Sequence, residues 1–246
     1  MIADSWICME SGPATASFNM AVDETLLLCA PKWTGPILRF YSWSEPAASF
    51  GYFQAYETVS ALTSLRPLVR RCTGGGLVCH DADWTYSLLF PASHPWHRSH
   101  AEDSYRRVHE WVRHSLLQLG FNCDLAACCA KETPGACFAG PEKFDLVHNA
   151  AKIAGAAQRR AREGLLIQGS VQGFPSQIHR TMWERSMLSS ASQLWGVQWC
   201  SMEWPSSAQE KAITLDQNKY SQAAYNQKRR STPADANPFL STSDGS

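Results

Sequence analysis

The residue pattern predicts an α+β fold. Strand-like runs and amphipathic helical stretches are mixed along the chain, and the regular strand–helix–strand alternation of a doubly wound sheet is missing. The chain has 246 residues, 44% of them hydrophobic, enough for one large or two small domains with a real core.

The first periodic stretch is 17–30. Phe18, Ala21, Val22, Thr25, Leu26 and Cys29 recur at helical spacing, with Thr15 or Ser17 as cap and Pro31 as stop. Asp23 and Glu24 fall in its early turns, where they suit the helix dipole. Residues 37–43 and 47–53 are rich in β-formers and are split by the turn Ser44-Glu45-Pro46. Residues 68–72, 77–79 and 84–90 are further strands, and 91–100 is a loop. Residues 102–119 form the clearest amphipathic helix: Tyr105, Val108, Val112, Leu116 and Leu119 share a face, and Gly120 ends it. Strands are expected at 121–125, 144–147 and 152–160, with a loop at 131–141. Residues 165–171 pair with 152–160 across a turn at 161–164. Helices are expected at 175–188 and 211–215. Residues 231–246 are rich in Pro, Ser, Asp and Gly and read as a disordered tail.

Composition excludes several classes. Lys plus Arg is 22 and Asp plus Glu is 22, so no basic excess marks a dedicated nucleic-acid binder. Nor is there an electrostatic reason to sit on an anionic membrane. No signal peptide and no run of about 18 apolar residues is found. The nine cysteines, an odd number with no CxxC pair, argue for free thiols in a reducing, cytoplasmic setting and against a zinc site.

Three segments carry chemistry. In Arg70-Arg71-Cys72-Thr73-Gly74-Gly75-Gly76-Leu77-Val78-Cys79-His80-Asp81, three glycines strip side chains from one patch, so backbone can approach a ligand. The Arg pair adds charge, and His80 and Asp81 add a polar end. A plain glycine-rich hairpin turn with solvated arginines is the competing reading. In the second segment, extended geometry puts Lys152, Ala154, Ala156 and Gln158 on one face. A cation beside two methyl-sized side chains makes a floor for a slim substrate, although a single lysine is more often solvated. In the third, Cys137 lies among small residues on a loop, accessible as a nucleophile. His94, His97 and His100 lie in a loop with no helical face, so no metal site is expected.

With RRCTGGGLVCHD at 70–81 and KFDLVHNAAKIAGAAQRRAREGLLIQGSV at 143–171, the chain resembles the biotin/lipoate A/B protein ligase family. More narrowly, it resembles the branch of lipoate–protein ligases and cysteine-dependent octanoyltransferases. FNMAVDETLL at 18–27, PILRFYSWSEPAASFGYFQ at 36–54 and KYSQAAYNQKRR at 219–230 support this. The resemblance implies a mixed, largely antiparallel sheet flanked by helices, similar to biotin synthetases and class II tRNA synthetases. It implies a single catalytic domain over 1–230. It implies an acyl tunnel whose substrate-binding residues are Trp43, Arg70, Arg71, Thr73, Gly74, Gly75, Gly76, His80, Gly155 and Ala156. Lys152 matches the family's active-site lysine, and ACFAGPEKFDL at 136–146 points to Cys137 as catalytic thiol. Ala150 stands where the family usually has glycine.

The implied activity is transfer of an octanoyl or lipoyl group to a lipoyl-domain lysine. An acyl carrier protein is the donor, and a 2-oxoacid dehydrogenase or glycine cleavage H protein is the acceptor. A Cys137 thioester needs no cofactor, with Lys152 and the glycine-loop amides polarising the carbonyl and His80 as a candidate base. Three alternatives remain: an ATP- and magnesium-dependent lipoate–protein ligase, an octanoyl amidotransferase between lipoyl domains, and an acyl-binding pseudoenzyme. Cys137, and the short polar stretch after Arg230, favour the transferase.

Overall fold

A computed structural model describes residues 4–128, 140–173 and 177–230. In chain order the elements are β1 (Ser5–Ala14), α1 (Ala16–Leu28), β2 (Ile37–Trp43), β3 (Ala47–Phe50), α2 (Tyr56–Leu62), β4 (Leu68–Arg70), β5 (Val78–His80), β6 (Trp84–Pro91), α3 (Pro95–Arg98), α4 (Ala101–Gln118), β7 (Asp124–Leu125), β8 (Leu146–His148), β9 (Ala151–Arg160), β10 (Gly164–Val171), α5 (Arg180–Trp195), β11 (Gln198–Cys200), α6 (Ser206–Leu215) and α7 (Ala223–Lys228). The main sheet has eight strands in the order β11-β1-β2-β6-β10-β9-β8-β7. β1 runs parallel to β11 and β2, and the remaining neighbours are antiparallel. A smaller sheet, β4-β3-β5, packs beside it. This is the α+β class that the residue pattern predicts, with the mixed, largely antiparallel sheet that the family resemblance implies.

Strand alternation decides the two cores. Leu38, Phe40, Tyr86, Leu88, Leu165 and Ile167 face α4 and α5, meeting Val108, Trp111, Leu116, Trp183 and Met187. Ile37, Leu89 and Leu166 face the opposite way, against Val22, Leu26 and Ala212 of α1 and α6. Trp6 anchors the first core, edge-on to Phe90, Trp96, Trp111 and Trp199.

Several expectations are corrected. Residues 91–100 contain one helical turn, α3, with Pro95 in its first turn and the His94 side chain accepting from Trp96 N. The helix expected at 175–188 is α5, which runs to Trp195 and ends at Gly196 with φ 69°. β1 escaped notice because Gly12 and Pro13 interrupt its pattern; a register shift between Glu10 and Pro13 absorbs them. Asp23 and Glu24 do not serve the α1 dipole. Both are buried, Asp23 against Arg39 at 2.7 Å and Glu24 against Lys219 at 2.7 Å.

Candidate active site

The α1 face of the main sheet and the small sheet enclose a cleft of about 420 Å³, its open mouth included. Met20, Tyr41, Trp43, Val78 and Ala157 give it apolar walls. Its polar groups come from two sides.

The first side is the β8–β9 pair. Leu146 pairs with Ala154 but Val147 pairs with Lys152, so Ile153 is an extra residue on β9. That bulge splits the predicted face: Lys152 and Ala156 reach the cleft, but Ala154 and Gln158 do not. Ile153 and Ala154 both join the α4 core, and Gln158 donates to Ala101 O of α4. Lys152 instead lines the cleft with Gly155, Ala156 and Ala157. Its Nζ lies 2.7 Å from Asp145 Oδ2, and both side chains are buried. Tyr105 Oη donates to Asp145 Oδ1, and Glu142 N donates to Oδ2. Gly155 makes room: a Cβ there would sit 2.7 Å from Lys152 Cε. His109 lies behind Asp145, 3.9 Å away. Burial holds its pKa below the usual histidine value, against the pull of Asp145.

The second side is the loop after β4 with β3 and β5. His80 stacks on Trp43 at 3.8 Å between ring centres. Its Nε2 is 2.6 Å from Ser49 Oγ, and its Nδ1 is 2.8 Å from Asp83 Oδ2. Asp83 Oδ2 also accepts from Thr85 and Ser170. Burial works to raise the Asp83 pKa, but His80 and these hydrogen bonds outweigh it and hold the carboxyl below its ordinary value. Arg71 donates from Nη1 to Ser49 Oγ and from Nη2 to Gly74 O and Gly76 O.

The structure brings Trp43, Arg71, His80, Lys152, Gly155 and Ala156 to the cleft. It does not bring Arg70, Thr73, Gly74, Gly75 or Gly76 to its lining. Arg70 is buried, not solvated, and donates to Asn226 O, Tyr52 O and Gln54 O. Thr73 acts one step removed, donating to Gln168 Oε1, which lines the cleft. Gly75, at φ 82°, brings its carbonyl so close to Gly51 that a Cβ there would lie 1.9 Å from the oxygen. Gly75 therefore fits the loop to its own chain at Gly51, whereas a Cβ at Gly74 would meet nothing within 4 Å. Cys137 lies outside the described residues. Among those described, no cysteine lines the cleft, and burial pushes Cys72 up to about 12 and Cys8 and Cys123 up to about 11. Ser49, Asp83 and Asp145 carry no mark in the sequence pattern, and Tyr105, expected on the apolar face of α4, donates to Asp145.

Residues 15–174 match the family described as the lipoyl protein ligase A/B catalytic domain. The chain belongs to this family. The octanoyltransferase LipM of Kyrpidia tusciae is 34% identical over 181 residues, covering 68% of this chain and 65% of that protein. The octanoyltransferase LipM of Staphylococcus aureus is 32% identical over 183 residues, 69% of this chain and 66% of that one. The match thus spans slightly less than two thirds of these relatives' length. A solved bi-partite lipoate protein ligase of Thermoplasma acidophilum superposes with a TM-score of 0.68 at 18% identity, covering 92% of this chain and 97% of that one. That likeness speaks to the family's fold. Among the described residues no helix is long and apolar enough to cross a membrane.

Proposed function

We propose that the chain transfers octanoyl groups in protein lipoylation, through a thioester on Cys137. The observation that carries this reading is Lys152, paired with Asp145 at 2.7 Å in the wall of an apolar-lined cleft. A fixed positive charge there stabilises the oxyanion that forms when a nucleophile attacks a thioester carbonyl. The names of the LipM relatives support octanoyl as the group transferred. The Cys137 thiolate attacks the octanoyl thioester of an acyl carrier protein and displaces the carrier thiolate. The neutral ε-amine of a lipoyl-domain lysine then attacks the new thioester, forms the amide, and releases the Cys137 thiol with the amine's proton. Thioester exchange is nearly isoenergetic and amide formation runs downhill. No nucleotide or metal is consumed; ATP and magnesium belong to the ligase alternative. A reduced Cys137 suits a reducing, cytoplasmic setting. Trp43, Arg71, His80, Gly155 and Ala156 contact the acyl thioester, and Arg70, Thr73 and Gly74 to Gly76 hold the loop that carries Arg71.

Incubation with octanoyl-carrier protein, read by intact mass, tests this. An octanoyl adduct lost in Cys137→Ser is the expected result. An adduct that persists in Cys137→Ser moves the nucleophile elsewhere. No adduct, with ATP-dependent attachment of free lipoate to a lipoyl domain, overturns the transferase.

A further inference from the structure

We propose that Ser49, His80 and Asp83 form a proton relay that takes the proton shed by the attacking amine, a role that rests on the octanoyl-transfer reading above. The hydrogen-bond inventory sets its direction. Asp83 Oδ2, fed by Thr85 and Ser170 as well, accepts from His80 Nδ1 at 2.8 Å, which leaves Nε2 as the acceptor nitrogen. Ser49 Oγ has one hydrogen and two lone pairs. Arg71 Nη1 occupies one lone pair at 2.8 Å, and the hydrogen points to His80 Nε2 at 2.6 Å. One lone pair of Oγ remains, and Ser49 lines the cleft.

The step balances. As the amine nitrogen bonds to the thioester carbon, its proton passes to Ser49 Oγ while the Ser49 hydrogen passes to His80 Nε2. The imidazolium is held between Asp83 and Ser49. When the carbon–sulfur bond breaks, the proton returns along the same path to the leaving thiolate. The groups around His80 are Trp43 and Tyr41 from β2, Ser49 from β3, Arg71 after β4, Asp83 with Thr85 and Ser170, and Lys152 across the cleft. Asp83 is a positioning residue; Ser49 is the group that meets substrate.

Single-turnover transfer from preformed octanoyl-enzyme to an isolated lipoyl domain tests the relay. Asp83→Asn and Ser49→Ala should lower kcat by about 10²-fold or more, with KM within about twofold of wild type. The deficit should shrink as pH rises, because hydroxide replaces the lost acceptor. Ser49→Thr, which keeps the hydroxyl, should recover most of the rate. Wild type itself should slow at least about twofold in deuterium oxide, a readout independent of how any variant folds. A wild-type pH profile in Asp83→Asn, a loss carried by KM, or a deficit equal at every pH overturns the relay. So does the absence of a solvent isotope effect. If wild type forms no octanoyl-enzyme at all, the transferase reading fails and takes the relay with it.

Discussion

The two sides of the cleft solve one problem differently. Each sets a nitrogen side chain against a buried carboxylate, Lys152 on Asp145 and His80 on Asp83. The Lys152 side is built on a bulge between β8 and β9 and presents a charge held by an ion pair. The His80 side is built on the small sheet and presents a ring whose proton has somewhere to go. The lesson is that a carboxylate does not define a site's chemistry; the group it orients does. One side suits steady stabilisation of an oxyanion, and the other suits proton traffic.

The hardest test of this contrast is Lys152→Ala. Transfer should fall about 10²–10³-fold, as when an oxyanion donor is removed. Because Asp145 is left buried and unpaired, stability should fall by about 3 kcal/mol as well. The double variant Lys152→Met with Asp145→Asn should regain most of that stability in urea unfolding without regaining activity. Unchanged turnover in Lys152→Ala would remove the Lys152 side from the mechanism. On the other side, Gly51→Ala drives a Cβ to 1.9 Å from Gly75 O, and overpacking should cost about 1–3 kcal/mol. If it melts with wild type, the loop is not tightly fitted.

The sides should also part in acid. Burial lowers the His109 pKa below 6.5, so below that pH the unfolded chain binds a proton that the folded chain refuses. Stability then falls as pH drops, by up to about 1.4 kcal/mol per unit. His109→Leu should flatten the slope. Asp83, held below its ordinary 3.8, contributes stability that is fully present above that value and is lost as pH falls through its folded pKa. Urea unfolding from pH 7 to pH 3 therefore separates the two, and a single transition near pH 4 would contradict the assignment. The smallest effect is expected at Ala150→Gly. Asn149 and Ala150 turn β8 into β9 with φ 49° and 64°, so glycine should stabilise by about 1 kcal/mol.

Much of this was legible. The β2, β6 and β10 strands are near-continuous apolar or β-forming runs, the α4 helix has strong apolar periodicity, and the glycine loop and Lys152 carry the family resemblance. Ala150, noticed as a departure from glycine, proved to sit in left-handed backbone. The missed parts share a physical cause. The face of Lys152 depended on one extra residue, Ile153, and a bulge leaves no mark in local pattern. Ser49 and Asp83 gain meaning only because β3, β5 and β10 bring distant segments together. Asp145 lies in a stretch of mixed polarity, and its partner on α4, Tyr105, is 40 residues away.

Arg70 ties the loop to Asn226, 156 residues later in the chain. Its guanidinium also holds Tyr52 O and Gln54 O, but the Asn226 contacts come only with α7. During synthesis, then, the sheet can form while the loop bearing Arg71 still lacks its last fastening. The Arg70–Asn226 contacts can form only once residues 223–228 are available, so an incomplete chain can hold the strands before it holds this fastening.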